Sequence, residues 1–125
     1  MKYAIAIPDS SLTDEKTLEN KTRKIATIAR ASGIFKVNEI IIYKDGKENE
    51  QDSKLLLTIL RYLATPQYFR RKMFQKSNLL KFAGVLPPLK TPNQTTPSDS
   101  NEIKIGDYRE GLILGVKGKK FIDVG

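Results

Sequence analysis

The fold is decided by a stretch in which a helical pattern passes directly into an apolar run, residues 24–43, KIATIARASGIFKVNEIIIY. Ile25 and Ala29 recur at helical spacing, and Gly33 follows where such a helix would end. The run 37–43 then concentrates branched apolar residues, which is typical of a strand in a parallel sheet. The stretch therefore predicts a helix followed by a strand, the repeating unit of an α/β fold.

The flanking sequence extends this unit in both directions. Before it, residues 3–7 predict a buried strand ended by Pro8, and Thr13 is suited to cap the first helix. After it, we expect a second helix capped by Asp52 or Ser53, a short basic helix over 68–75 and a third strand over 82–86. The resulting order, β-α-β-α-α-β, predicts a small parallel sheet with right-handed crossovers.

The C-terminal part has a different character. Residues 92–101 are rich in Pro, Ser, Thr and Asn, which predicts a mobile linker. Residues 111–116 and 119–124 alternate in polarity around Lys117-Gly118, which predicts a β-hairpin. We therefore divide the chain into an α/β unit over 1–90, a linker over 91–102 and a hairpin unit over 103–125.

Composition excludes several kinds of chemistry. The chain of 125 residues, enough for one domain with an appendage, contains no cysteine and no histidine. This excludes disulfides, thiolate and histidine metal sites, and Ser-His or Cys-His nucleophile pairs. Carboxylates could hold a hard cation, but no calcium-type loop is present, so we predict no metal site and no catalytic residue. The apolar runs are too short for a signal peptide or a membrane span, and we expect a cytoplasmic protein.

The net charge of +8 is confined to one part of the sequence. Residues 53–98 contain eight cations and no acid, so the remainder of the chain is neutral on balance. Aromatic residues are interleaved with these cations at Tyr62, Tyr68, Phe69, Phe74 and Phe82. Cations neutralise phosphates and aromatic rings stack on unpaired bases, so the pattern favours RNA binding. The alternative, a solvated basic face over core aromatics, is our interpretation for most of the rings.

Three segments together resemble the SPOUT superfamily of knotted RNA methyltransferases. They are residues 24–43, 63–74 (LATPQYFRRKMF) and 82–92 (FAGVLPPLKTP). The resemblance is to the archaeal and eukaryotic branch, in which an OB-like domain is inserted in mid-chain, and residues 108–111 (YREG) and 121–125 (FIDVG) resemble the opening of that insert. It implies that the α/β unit is the N-terminal half of the Rossmann-like domain, and that the hairpin unit is a remnant of the insert.

The resemblance also implies what the sequence does not carry. In that family the S-adenosylmethionine pocket, the knot and the dimerisation helix follow the insert, whereas this sequence reaches only Gly125. We therefore expect no cofactor and no knot-type dimer. Arg30 matches a first-half arginine that lies near the substrate phosphate in many SPOUT enzymes. An exposed helix cation without a ligand is an equally good interpretation of Arg30.

Three functions are compatible with these features. The first is a non-catalytic RNA-binding protein derived from half of such an enzyme, namely a structural component of the ribosome contacting rRNA and neighbouring ribosomal proteins. The second is a fragment or subunit of an S-adenosylmethionine-dependent RNA methyltransferase, and the third is a protein-binding module that uses a bare sheet. We favour the first, with no enzyme activity and no membrane partner. The predicted RNA contacts are Arg30, Lys54, Arg61, Arg70, Arg71, Lys72, Lys76, Lys81 and Lys90.

Overall fold

A computed structural model describes residues 1–46, 48–87, 89, 104–106, 108 and 110–123. The described residues form an α/β unit with a parallel strand pair, followed by an antiparallel hairpin. This confirms the α/β class expected from the sequence. The predicted linker and Lys90 lie outside the described residues.

The two N-terminal strands form the sheet of the α/β unit. Strand β1 (Ala4–Pro8) pairs in parallel with β2 (Glu39–Tyr43), with Ala4 opposite Glu39. The pairing continues before the strands, because the Tyr3 N–H donates to Asn38 Oδ1 at 2.9 Å and the Asn38 N–H donates to the Tyr3 carbonyl at 2.8 Å. Parallel neighbours need a crossover, and helix α1 provides it.

Helix α1 (Leu18–Ile34) begins later than the sequence predicted. Thr17 caps it by accepting a hydrogen bond from the Asn20 N–H at 3.2 Å. The prediction that Thr13 caps this helix is wrong, because the Thr13 hydroxyl instead donates to the Ser10 carbonyl at 2.8 Å. A 3₁₀ turn over Asp9–Leu12 follows β1, and residues 13–16 form a non-helical connection between this turn and the Thr17 cap.

Helix α2 (Glu50–Ala64) begins earlier than predicted, after Asn49. Asp52, one of the two predicted caps, instead lies in the first turn and accepts from Lys21 Nζ at 2.7 Å. This ion pair joins α1 to α2. The Asp52 carboxylate also interacts favourably with the positive, N-terminal end of the α2 dipole. The helix ends at Thr65-Pro66, as the sequence predicted.

The core lies between these two helices. Ile25 on α1 and Leu56, Ile59 and Leu63 on α2 are almost fully buried, together with Leu12 of the 3₁₀ turn. On α2 these residues are three, four or seven positions apart, which places them on one face of the helix. Burial of this apolar surface is the main source of stability for the unit.

The sheet is covered unevenly by the described residues. Ile5, Ile7, Ile40 and Ile42 are half-buried, whereas the residues that alternate with them are exposed, apart from Pro8 at the end of β1. The strands therefore have one face on the core and one face open, and the expectation of a fully buried first strand is wrong. Within the described part of the chain, no helix is long and apolar enough to cross a membrane.

The segment after α2 consists of short turns. Residues Gln67–Phe69 form a 3₁₀ turn that leads into the single-turn helix α3 (Arg70–Met73), so the predicted basic helix is present but shorter. The predicted third strand is wrong, because Ala83–Val85 form another 3₁₀ turn. Ala83 and Leu86 face inward while Val85 is 84% exposed, a spacing that suits a helical turn and not a strand.

The predicted hairpin is confirmed. Strands β3 (Leu112–Val116) and β4 (Lys119–Asp123) pair antiparallel around Lys117 and Gly118, whose φ angles are 49° and 77°. Two positive φ angles are characteristic of the type I′ turn that best fits a two-residue hairpin. The side chains of Tyr68 and Lys72 connect this hairpin unit to the segment after α2.

Candidate nucleic-acid interface

The end of α2, helix α3 and the following turn enclose a groove of about 460 Å³, which we call the basic groove. Four of its lining residues are among the predicted RNA contacts. The lining consists of Tyr62, Arg70, Arg71, Phe74, Gln75, Lys76, Ser77, Asn78, Leu80 and Lys81. The lining includes no carboxylate, so its field is positive throughout.

Arg70 is part of the wall of the groove and is only 9% exposed. Its Nε donates to the Thr65 carbonyl at 3.2 Å, and its guanidinium lies 4.7 Å from the centre of the Tyr62 ring. These contacts give a buried cation the partners that it needs. The sequence grouped Arg70 with its two neighbours as an RNA contact, whereas the structure places it in a supporting position.

The other cations of the groove reach solvent. Arg71, Lys76 and Lys81 are all exposed, and the Lys81 ammonium lies 5.4 Å from the Phe82 ring centre. Arg71 and Lys76 have no ion-pair partner among the described residues. Three like charges along one groove are best stabilised by an anion placed between them.

Two of the five interleaved aromatics line the groove. Tyr62 and Phe74 are half-buried and meet edge to face, with ring centres 5.4 Å apart and an interplanar angle of 75°. Phe69, in contrast, is buried and packs against Tyr68 with ring centres 4.5 Å apart. The interpretation of most of the rings as packing residues is therefore correct for Phe69, while Tyr62 and Phe74 border the cationic surface.

The remaining predicted contacts on this side lie outside the groove. Lys54 and Arg61 are exposed and seven residues apart, so they share one stripe of α2. Lys72 forms an ion pair with Asp123 of β4. A cation that already has a carboxylate partner is less available to a phosphate, so Lys72 serves to hold the hairpin.

A second cleft, of about 560 Å³, contains Arg30 and lies along α1. It has an apolar floor that includes Ala26, Leu63 and Leu86, and Arg30 has no partner among the described residues. Arg23 lies on the same side of the cleft and also bonds to Glu19 at 2.9 Å. Arg23 was not among the RNA contacts predicted from the sequence, although its distance of seven residues from Arg30 places both on one helix face.

Neither cleft is lined by a carboxylate, so the described lining residues offer no acidic partner to the sulfonium or the ammonium group of S-adenosylmethionine. The described residues also include no cluster of three or more acidic side chains that could hold a metal ion. The chemistry of both clefts instead suits an anion with apolar or planar parts.

A sequence profile described as a putative RNA methyltransferase matches residues 2–125. This chain belongs to that family. The family resemblance identified from the sequence motifs is thus confirmed, and it extends over the α/β unit and the hairpin together.

Individual relatives also match this chain. The 28S rRNA (uridine-N(3))-methyltransferase of Homo sapiens is 33% identical over an alignment that covers 89% of this chain and 32% of the relative. An uncharacterized protein of Halobacterium salinarum is 30% identical over an alignment that covers 100% of this chain and 44% of the relative. A putative methyltransferase of Saccharomyces cerevisiae is 31% identical over an alignment that covers 90% of this chain and 37% of the relative. The chain thus spans less than half the length of these relatives.

These matches correct the expectation that the protein is not an enzyme. The family is described as a putative RNA methyltransferase and the human relative is named as an rRNA methyltransferase, and neither supports a structural role in the ribosome. The expectation relied on the absence of histidine and cysteine and on the point where the sequence stops. Neither excludes methyl transfer by a protein in which other residues hold the methyl donor.

Proposed function

We propose that this chain is the RNA-contacting part of an S-adenosylmethionine-dependent rRNA methyltransferase. The observation that carries the proposal is the family match over residues 2–125, together with 33% identity to an enzyme named for N3 of uridine in 28S rRNA. The proposed substrate is accordingly a uridine of large-subunit rRNA. This corresponds to the second of the three functions that the sequence left open.

The electrostatics of the chain support a division of labour within such an enzyme. The cations that line both clefts suit the phosphates of RNA. We assign donor binding to the part of the relatives that extends beyond the match, because the family resemblance places the S-adenosylmethionine pocket after the insert. The exposed residues that we assign to RNA are Arg30, Lys54, Arg61, Arg71, Lys76 and Lys81.

The chemistry of the proposed substrate adds a requirement. N3 of uridine lies on the Watson–Crick edge of the base, where pairing with adenine hides it. An enzyme that modifies this atom must accept an unpaired uridine or extrude a paired one. Sequence-specific recognition of RNA also occurs mostly at unpaired loops and bulges, so a surface with both cations and accessible rings is suited to this task.

The proposal is tested by removing the gene from the source organism and analysing the nucleosides of its rRNA by mass spectrometry. We expect the loss of N3-methyluridine at one position of the large-subunit rRNA, and its return when the gene is restored. The small-subunit rRNA of the same cells is the control and should keep its modifications. An unchanged modification profile in the deletion strain would contradict the proposed function.

A further inference from the structure

We infer that the basic groove is a subsite for an unpaired RNA strand, with a base against the Tyr62–Phe74 pair and flanking phosphates on Arg71, Lys76 and Lys81. The inference rests on the proposed function only in taking rRNA as the source of the strand. It goes further in stating where the strand lies and which form of RNA the site selects.

The charges of the groove indicate a polyanion. The three exposed cations lie within eleven residues, in a part of the sequence without any acid. Three described cations outside this part of the sequence are paired with acids, namely Lys21 with Asp52, Arg23 with Glu19 and Lys24 with Asp14. A surface needed only for solubility would mix the two signs in the same way. The unneutralised row of cations therefore favours successive phosphates.

The rings distinguish RNA from other anions. Tyr62 and Phe74 line the groove beside the cations and are half-buried, so they offer apolar surface to a ligand. An isolated phosphate or sulfate has no apolar part that could contact this surface. A nucleotide has both a planar base and a phosphate.

Arg70 gives this site its rigidity. Its hydrogen bond to the Thr65 carbonyl and its position over the Tyr62 ring join the end of α2 to the start of α3. Both the ring and the first residue of α3 are thus held in place before any ligand binds. A preorganised site loses less conformational freedom on binding than a flexible basic tail would.

The same geometry predicts a preference for unpaired RNA. In an A-form duplex the bases are stacked and paired, so the rings would find no exposed base face and only the phosphates would contribute. A single strand can use both the cations and the rings. The salt dependence of binding should therefore come from the cations, and the discrimination between single strand and duplex should come from Phe74 and Tyr62.

The charge part is tested by fluorescence anisotropy of the purified full-length protein with an end-labelled oligouridine over a salt series. Changing Arg71, Lys76 and Lys81 together to Gln should reduce the slope of log affinity against log salt by about two, since each phosphate contact in single strands contributes about 0.7. The control changes Lys2, Lys16 and Lys44 to Gln, which are exposed cations outside the groove. We expect this control to change the slope by less than half as much.

The ring part is tested with Phe74→Leu, which keeps an apolar side chain but removes the ring. Affinity for oligouridine should fall about tenfold, as expected for the loss of one stacked base, while the salt slope and the affinity for a matched RNA duplex stay unchanged. Crosslinking of wild-type protein to a 4-thiouridine oligonucleotide gives a second measurement that needs no variant. The crosslinked peptides should include residues 71–81.

Several outcomes would overturn the inference. Equal slopes for the groove and control variants would mean that only net charge matters, and equal competition by polyglutamate would indicate an acidic protein partner. Crosslinks confined to other parts of the chain would contradict the assigned position. These results are separable from the proposed function, because the deletion strain can lose N3-methyluridine even if the strand lies elsewhere, and the groove can bind RNA in a protein that modifies none.

Discussion

The helix layer formed by α1 and α2 differs from residues 65–87, the turn segment that follows it, in how structure is encoded. In the helix layer, apolar residues recur at helical spacing, and the helices that they predict are present. In the turn segment, no element is longer than four residues, and its position depends on contacts with the preceding helix. Long periodic patterns thus predict their own structure, whereas short basic segments acquire theirs from tertiary contacts.

The two regions also differ in charge. Three cations of α1 are paired with acids: Lys21 with Asp52, Arg23 with Glu19 and Lys24 with Asp14. The turn segment has five cations and no acid of its own. The first arrangement contributes to stability, and the second leaves charge available to a ligand. Substitutions in the helix layer should therefore affect folding most, and those in the turn segment should affect RNA binding most.

The largest expected effect on folding is that of Leu56→Ala. Leu56 is 0% exposed in the core, whereas its neighbour Leu57 is 43% exposed on the same helix. Truncating a buried leucine leaves a cavity and should lower the free energy of unfolding by about 2–5 kcal/mol. Leu57→Ala should change it by less than about 1 kcal/mol. Urea unfolding of the purified protein, followed by circular dichroism, measures both.

The same core substitution should leave RNA binding unchanged. The anisotropy of labelled oligouridine with Leu56→Ala, measured at a temperature where the variant is folded, should match that of wild type. Equal destabilisation by the two leucine substitutions would contradict the position of the core. Loss of binding by a folded Leu56→Ala protein would mean that the helix layer and the basic groove are not separable.

The next effect in size distinguishes two adjacent cations of the turn segment. Arg70→Met should lower the free energy of unfolding by about 1–3 kcal/mol, because it leaves the buried Thr65 carbonyl without its side-chain donor and removes the contact with Tyr62. Arg71→Met removes the same charge from an exposed side chain and should change stability by less than about 0.5 kcal/mol. The order should reverse for RNA affinity per folded molecule.

Denaturant midpoints and salt-dependent anisotropy of the two variants provide the measurement, and each variant is the control for the other. If Arg71→Met destabilised the protein as much as Arg70→Met, the supporting role of Arg70 would be wrong. If both variants kept full affinity, Arg71 would not be a phosphate contact.

The difference between the regions explains how far the sequence could be interpreted. Helices α1 and α2, the parallel strand pair and the hairpin were predicted because each has a periodic or turn signal within its own residues. The first helix cap was assigned to Thr13 instead of Thr17, because the 3₁₀ turn after β1 is a local alternative that also uses Ser and Thr hydroxyls. Residues 82–86 resembled a strand only by composition.

The basic groove, too, could be predicted from the sequence only in part. The acid-free window correctly indicated that cations would gather, and the structure brings Arg71, Lys76 and Lys81 to one groove. Which of three consecutive cations turns inward could not be predicted, since the answer depends on Thr65 and Tyr62 reaching Arg70 from the previous helix. The same holds for Lys72, whose partner Asp123 is 51 residues away in the sequence.

The smallest expected effect concerns a charge pair at the surface of the helix layer. Lys24 of α1 donates to Asp14 Oδ1 at 2.6 Å, and this hydrogen bond lowers the pKa of Asp14 below its ordinary value of 3.8. Because the pKa is lowered on folding, the pair stabilises the protein above pH 3.8 and the contribution disappears as the pH falls through the folded-state pKa. Asp14→Asn should therefore be slightly less stable than wild type at neutral pH.

The two proteins should become equally stable once the pH lies below that folded-state pKa, where Asp14 is protonated in both states. The side chain of Asp14 is 67% exposed, so salt should screen the pair and shrink the difference at neutral pH. Thermal unfolding of wild type, Asp14→Asn, Lys24→Gln and the double variant completes a cycle. Because either single change removes the whole pair, the double variant should lose no more than the larger single loss. A difference that persists in acid or in high salt would show that Asp14 acts through packing, and the contrast between the paired cations of α1 and the acid-free turn segment would then rest on the Lys21–Asp52 and Arg23–Glu19 pairs.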